Sequence, residues 1–197
     1  MTEQVTLDRH TSAVLIMDFQ IRIVNNFASD PPGVVERAAQ ALHGARHAGI
    51  PVIYVVHRGG PFRDEAPDVA IHAGVAPALG ETVVTKTKPG AFSTTGLDIM
   101  LREIGVDTVI LMGVATSGCV LSTIRWAVDM NYKPFVVADA CSDPDPEVHR
   151  VLTEKVYPRQ GTVLTTQAFC QLVGPGTLSL RYDAICSISL RGRALSP

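Results

Sequence analysis

Short β-branched runs alternate with longer segments of helical periodicity along most of the chain, and this alternation restricts the possible folds more than any other feature. Six runs indicate buried strands, at residues 13–17, 51–56, 82–85, 108–113, 134–138 and 162–166. Helical patterns occupy residues 33–49, 94–105, 119–131 and 145–157. Most of the strand runs are apolar on both faces, which is typical of parallel strands covered on each side. The sequence therefore predicts an α/β fold: a three-layer, doubly wound, mainly parallel six-stranded sheet with helices on both faces.

A different pattern appears near the C-terminus. Apolar residues occupy every even position there: Leu178, Leu180, Tyr182, Ala184, Cys186, Ile188 and Leu190. A period of two predicts a strand with one buried face, and such an edge strand is best covered by a second subunit. An unstructured tail is the alternative. We therefore divide the chain into a domain of residues 1–169 and a C-terminal extension of residues 170–197, with a homo-oligomer as the expected assembly.

Composition excludes several classes of protein. The chain of 197 residues is 46% hydrophobic and 18% charged, with a formal net charge of −2. These values suit a large core and indicate neither a nucleic-acid partner nor a membrane partner. The N-terminus resembles no signal peptide, and the four widely spaced cysteines form no C-x-x-C pair. The sequence therefore predicts a cytoplasmic protein whose partner is a small-molecule substrate.

Polar side chains follow the predicted strands, where an open parallel sheet binds its ligands. The first strand ends in Asp18, the second in His57 and Arg58, the third in Lys86 and Lys88, the fourth leads to Cys119, and the fifth ends in Asp139. A cysteine at a helix start has its thiolate favoured by unpaired N–H groups. A carboxylate can take its proton, and a lysine can stabilise the resulting anion. Taken alone, however, each residue also has an ordinary structural role, such as a buried cysteine.

Three motifs give the chain a family resemblance. They are AVLIMDFQ (residues 13–20), VVTKTKPGAFSTTGLDIMLREIGVDTVILMGVATSGCVLST (83–123) and FVVADACSD (135–143). Over residues 8–168 the chain resembles the isochorismatase-like cysteine hydrolases, which include isochorismatases, nicotinamidases and N-carbamoylsarcosine amidohydrolases. The resemblance implies that Asp18 is the general base, Lys86 the conserved lysine and Cys119 the nucleophile. Lys86 is preferred to Lys88 because of its spacing to an Ala-Phe pair.

The resemblance also carries expectations about the turn before the nucleophile. It implies a cis peptide bond between Val114 and Ala115, and an oxyanion hole built from the amides of Ala115 and Cys119. Metal-dependent relatives have a D-x-H element after the second strand, whereas this chain has His57 with no carboxylate two residues earlier. We therefore expect no zinc and no other cofactor.

Several other residues are candidates for the walls of a substrate pocket. Phe19, Gln20 and Phe92 lie beside the proposed catalytic residues in sequence and could line a pocket for a planar substrate. His57 and Arg58 could bind a substrate carboxylate, or form a solvated strand end. Trp126 is interpreted as a core or subunit-contact residue, His149 as a surface helix residue, and Cys141, Cys170 and Cys186 as structural cysteines.

The predicted activity is cysteine-dependent hydrolysis of a C–N bond, of the amide type, in a small molecule through a thioester intermediate. Two alternatives stay open. One is non-covalent vinyl-ether hydrolysis of the isochorismatase type, which needs no thiol. The other is a catalytically idle scaffold that binds a ligand in the same pocket. The sequence does not specify the substrate.

Overall fold

A computed structural model describes residues 4–62, 66–174 and 180–181. Its strands are β1 (Gln4–Val5), β2 (Ser12–Met17), β3 (Val52–His57), β4 (Thr82–Lys86), β5 (Thr108–Val114), β6 (Lys133–Ser142), β7 (Thr162–Leu164) and β8 (Leu180–Arg181). Each of the six predicted strands is present, with ends that differ by no more than four residues. The largest difference is in β6, which continues to Ser142 beside β5.

The central sheet has the strand order β4-β3-β2-β5-β6-β7, and all its neighbouring strands are parallel. The chain moves outwards from β2 to one edge and then returns to build the other half from β5. The order therefore reverses between β2 and β5, and a crevice at the carboxyl ends of these two strands is the expected place for a ligand.

The helices form a layer on each face of the sheet. They are α1 (Ile21–Phe27), α2 (Pro31–His47), α3 (Leu97–Glu103), α4 (Leu121–Asp129), α5 (Pro146–Val151) and α6 (Thr166–Val173). Val14 and Ile16 of β2 pack in the core cluster that contains α1, α2 and α6, whereas Leu15 and Met17 face the cluster that contains α3 and α4. Successive strand residues point to opposite faces, so a fully apolar strand serves both layers. The three-layer prediction is confirmed.

Some predicted helix limits were wrong for local reasons. The segment 145–157 is α5 followed by a π-helical turn at Leu152–Val156 and a 3₁₀ turn at Tyr157–Arg159, so one regular helix was too simple a prediction. The helix predicted from residue 94 begins at Leu97, with Gly96 at the N-cap position and the Leu97 amide donating to Thr95 Oγ1 at 3.2 Å. Helices α1 and α6 were not predicted.

The two ends of the described chain meet in a small second sheet. β1 pairs antiparallel with β8, so this pairing occurs within one chain. The remainder of the alternating segment, including Cys186, lies outside the described residues. Helix α6 continues through residue 169, where the sequence suggested a domain boundary, and its Phe169 and Leu172 belong to the main core. Among the described residues, no helix is both long enough and apolar enough to cross a membrane.

Candidate active site

Asp18 lies at the carboxyl end of β2, beside the reversal in strand order. Its backbone φ is 59°, in the left-handed region that Asp tolerates better than most residues. Its amide donates to the Val55 carbonyl oxygen of the neighbouring β3 (2.8 Å), and the residue is 5% exposed. This conformation, which is uncommon for residues other than glycine, ends the strand, and the carboxylate lies buried at the rim of the sheet.

Lys86 reaches the same carboxylate from the end of β4. Its Nζ lies 2.7 Å from Asp18 Oδ2 and 3.3 Å from the Lys88 carbonyl oxygen, and the residue is 1% exposed. One strand, β3, lies between β2 and β4, and the long lysine side chain spans that distance. The side chain of Lys88 is exposed. A buried ion pair of this kind is costly to break, since either partner alone would be an uncompensated buried charge.

Cys119 belongs to a π-helical turn, Thr116–Val120, which connects β5 to α4. Its Sγ lies 3.7 Å from the Ala115 carbonyl oxygen, and the residue is 3% exposed. A Cβ at Gly113 would lie only 2.9 Å from that sulfur, so the absence of a side chain there makes room for the thiol. The peptide bond between Val114 and Ala115 is cis, as the family resemblance implied.

The electrostatics of the site differ from the expectation of a resting thiolate. Burial, together with the negative charge of Asp18, raises the pKa of the Cys119 thiol well above its ordinary value, and the nearby Lys86 only partly opposes this effect. Burial also raises the pKa of Asp18 to about 6, although Lys86 lowers it. A helix start favours the thiolate, but desolvation disfavours the charged form of any buried acid and has the larger effect here. The resting pair is therefore a neutral thiol beside a carboxylate that ionises near pH 6.

One oxygen of Asp18 is available for chemistry. Its Oδ1 is buried and has no hydrogen-bond partner, whereas Oδ2 binds Lys86. A buried carboxylate oxygen without a partner is rare in folded proteins. The Cys119 thiol is close enough to influence the pKa of Asp18, while its sulfur is oriented toward the Ala115 carbonyl oxygen. The thiol is therefore the neighbouring group that can serve Oδ1 as a donor.

The turn that carries Cys119 is held from the side by the segment after β6. Asp143 Oδ2 accepts a hydrogen bond from the Ser117 amide at 2.7 Å, and the Tyr157 hydroxyl donates to the Thr116 carbonyl oxygen at 2.6 Å. His149 Nδ1 lies 2.8 Å from Thr116 Oγ1. His149 is therefore half-buried against the turn, and its interpretation as a surface residue was wrong. The sequence offered one signal, namely that Asp143 follows a strand ending at the same rim.

The residues predicted to bind substrate occupy different environments. Phe19 packs in the core cluster of α1 and α2, whereas Phe92 stacks on Tyr132 in the opposite cluster, with ring centroids 5.6 Å apart. Gln20 is fully buried and its amide is used by main-chain groups: Nε2 donates to the Val69 and His57 carbonyl oxygens (2.8 and 3.2 Å), and Oε1 accepts from the His57 amide (2.7 Å). These contacts favour a positioning role for Gln20.

His57 is partly exposed at the end of β3, and its backbone is paired with that of Lys86. Burial, and then the positive charge of Lys86, lowers the pKa of its imidazole, so this ring is neutral near pH 7. The adjacent Arg58 donates to the Val69 carbonyl oxygen at 3.3 Å. Trp126 is 43% exposed on α4, which excludes a core position and leaves a subunit contact as its predicted role. Cys141 is buried and Cys170 partly buried, and neither forms a disulfide.

Within residues 4–62, 66–174 and 180–181, no group of three or more His, Cys, Asp or Glu side chains is arranged to hold a metal ion. The side chains that meet are instead an acid, a cation and a thiol. Such a set can move a proton from sulfur to carboxylate and attack an electrophilic carbon.

Comparison with known proteins identifies relatives of the same architecture. The isochorismatase domain model matches residues 12–168. The chain is 32% identical over 177 residues to the uncharacterized isochorismatase family protein YddQ of Bacillus subtilis, covering 81% of this chain and 98% of that one. It is 32% identical over 157 residues to the maleamate amidohydrolase of Pseudomonas putida, covering 69% and 74%. A crystal structure of a cysteine hydrolase from Pseudomonas syringae pv. phaseolicola superposes with a TM-score of 0.78 at 25% identity, covering 88% and 97%.

Proposed function

The chain belongs to the isochorismatase family of hydrolases, and within it we propose that this protein is a cysteine hydrolase that cleaves an amide-type C–N bond of a small molecule. The observation that carries the proposal is the meeting of Asp18, Lys86 and Cys119 at the reversal in strand order, with one carboxylate oxygen unpartnered. Two reported relatives support the reaction class, since one is a maleamate amidohydrolase and another a cysteine hydrolase.

The first half of the reaction forms a thioester. Asp18 takes the proton of Cys119 as the sulfur attacks the carbonyl carbon, and an S–C bond replaces the carbonyl π bond. As the family resemblance implies, the amides of Ala115 and Cys119 hold the oxyanion. The Ser117 and Gly118 amides already donate to Asp143 Oδ2 and to the Ala115 carbonyl oxygen. Asp18 then gives its proton to the leaving nitrogen, the C–N bond breaks, and an amine departs.

The second half hydrolyses the thioester. Asp18 removes a proton from a water molecule as that water attacks the acyl carbon, and the same proton returns to sulfur when the C–S bond breaks. A base with a pKa of about 6 is ionised at neutral pH and is still able to accept and release a proton. Lys86 keeps the buried carboxylate from becoming a still weaker acid, and it holds Oδ2 so that Oδ1 faces the reaction. Phe19, His57 and Phe92 are proposed as the nearest walls of the substrate pocket, with Gln20 positioning His57.

The test compares two cysteine variants on a panel of small amides that includes maleamate. Cys119→Ala should abolish hydrolysis while leaving the fold intact, and Cys170→Ala, on the distant α6, is the matched control that should keep wild-type activity. Mass spectrometry of rapidly quenched wild-type protein should detect an acyl group on Cys119. Hydrolysis of these amides at the wild-type rate by Cys119→Ala would refute the covalent route. Hydrolysis of a vinyl ether such as isochorismate by both proteins, without cleavage of any amide, would favour the vinyl-ether alternative. Ligand binding without turnover of any panel member would favour the idle scaffold.

The location and assembly of the protein are part of the same proposal. Cys119, Cys141 and Cys170 are unpaired thiols, which suits the reducing cytoplasm. Exposed apolar side chains at Trp126 and Val128 on α4 suit contact with a second copy of the chain. Light scattering during size-exclusion chromatography would measure the assembly, and a monomeric mass at micromolar concentration would refute the oligomer.

A further inference from the structure

We propose that Asp143, His149 and Tyr157 are positioning residues that hold the turn of Cys119 in the conformation needed for nucleophilic attack. The inference rests on the proposed function, because it concerns the same nucleophile. None of the three side chains belongs to the acid, lysine and cysteine set. They lie in one segment, 143–157, which reaches the turn from the side of β6.

Asp143 fixes the first amide after Thr116. Its Oδ2 accepts from Ser117 N at 2.7 Å, and its Oδ1 accepts from the Asp145 amide at 3.3 Å. The residue is 2% exposed, so a buried carboxylate is held by main-chain N–H groups at both oxygens. A hydrogen bond to a charged acceptor is stronger than a neutral one, so this contact restrains the start of the turn.

Tyr157 and His149 fix Thr116 itself. The Tyr157 hydroxyl donates to the main-chain carbonyl of Thr116, and His149 Nδ1 binds its hydroxyl, so both ends of the residue are restrained. Thr116 and Tyr157 are both fully buried. His149 is itself anchored, because the Thr153 hydroxyl donates to its carbonyl oxygen at 2.8 Å within the same helical segment.

The restraint matters because Cys119 lies three residues after Thr116, within a single turn. The position of Thr116 therefore sets the distance from Sγ to Asp18, and it also sets the direction of the amides that would hold the oxyanion. A displacement of about 1 Å at a reacting group costs up to about 100-fold in rate. We infer that these side chains keep the geometry of the nucleophile within that tolerance.

The experiment measures the reactivity of the Cys119 thiol directly, with iodoacetamide as the probe and mass spectrometry as the readout. Tyr157→Phe removes one hydroxyl and keeps the packed ring, and His149→Leu removes the ring nitrogens. Both should slow alkylation by about tenfold or more. His149→Asn, which places a polar atom near the position of Nδ1, should recover most of the rate. Arg150→Ala is the matched control, since it removes only exposed ion pairs of the same helix and should stay within about twofold of wild type.

On an amide that the wild-type protein hydrolyses, the two variants should lower kcat and leave KM within about twofold, because the substrate pocket is unchanged. Urea unfolding of every variant separates loss of stability from loss of position. Wild-type alkylation rates in folded Tyr157→Phe and His149→Leu would overturn the inference, even if both proteins were less stable. Failure of the proposed function gives a different result, because amide hydrolysis would then survive Cys119→Ala while these alkylation rates still report on the turn.

Discussion

The pH at which Cys119 becomes reactive should depend on the ion pair between Asp18 and Lys86. Attack requires the carboxylate as base, so reactivity should fall below the pKa of Asp18. Burial raises that pKa to about 6 in spite of Lys86, compared with the ordinary value of 3.8. The wild-type alkylation rate should therefore decline below about pH 6 and not below about pH 4.

The substitution Lys86→Met tests this reasoning with a large shift. The ammonium nitrogen lies 2.7 Å from Asp18 Oδ2, in a region where the lysine is 1% exposed. At an effective dielectric constant of about 20, two unit charges about 4 Å apart interact by roughly 4 kcal/mol. Opposite charges at such distances lower a carboxyl pKa by about 1–3 units. Removal of the lysine should therefore move the pKa of Asp18 from about 6 to between about 7 and 9.

The assay is the second-order rate of iodoacetamide labelling from about pH 4 to 10. Cys119→Ala supplies the background from the other thiols, and Lys88→Met, an exposed lysine two residues away, is the matched control that should follow the wild-type curve. Lys86→Gln keeps a donor for the carboxylate and should give a smaller shift. Loss of reactivity at the same pH in wild type and Lys86→Met would show that Lys86 does not set the pKa of Asp18, provided that circular dichroism shows both proteins to be folded.

Three further predictions concern stability. Gly113→Ala should destabilise the protein by about 1–3 kcal/mol in urea unfolding and should slow the labelling of Cys119. The reason is that the new Cβ would lie 2.9 Å from Cys119 Sγ and 3.1 Å from the Met17 carbonyl oxygen. An unchanged labelling rate would contradict this prediction. Gln20→Leu should cost about 2–4 kcal/mol, since three hydrogen bonds from the side chain to main-chain groups are lost, one of them buried and two part-buried. A loss below about 0.5 kcal/mol would show that these bonds contribute little. Folding raises the pKa of Asp18 from 3.8 to about 6, so ionisation of this group reduces stability as the pH rises through that range, by about 3 kcal/mol in all. Asp18→Asn should lack this component, so its stability relative to wild type should rise between about pH 4 and 7; a pH-independent difference would contradict the raised pKa.

The fold could be predicted because its determinants are local and repeated. A strand such as β2, which is apolar at nearly every position, must be covered by other elements on both faces of the sheet. The segments between the strands are long enough to form the helices that provide this cover. Parallel strands place their carboxyl ends at one edge of the sheet, so the sequence pattern predicts Asp18 and Cys119 at the same edge. The structure adds that β2 and β5 are direct neighbours. Helix α1 was not predicted because it begins only four residues after the end of β2 and has no N-capping signal. The side chain of Gln20, at the N-cap position, makes no capping hydrogen bond.

The tertiary structure alone decided the protonation of the site and the support of its turn. The sequence pattern indicated an activated thiolate at a helix start, but burial and the charge of Asp18 make the resting thiol neutral. Desolvation depends on everything packed around a group, and no local pattern records it. In the same way, His149 lies 33 residues from Thr116 in the chain, and only the path of the segment after β6 places it against the turn. The sequence by itself determined the fold class and singled out Asp18, Lys86 and Cys119 as candidates, while three-dimensional packing determined the charge states of these groups and the contacts of the turn that carries Cys119.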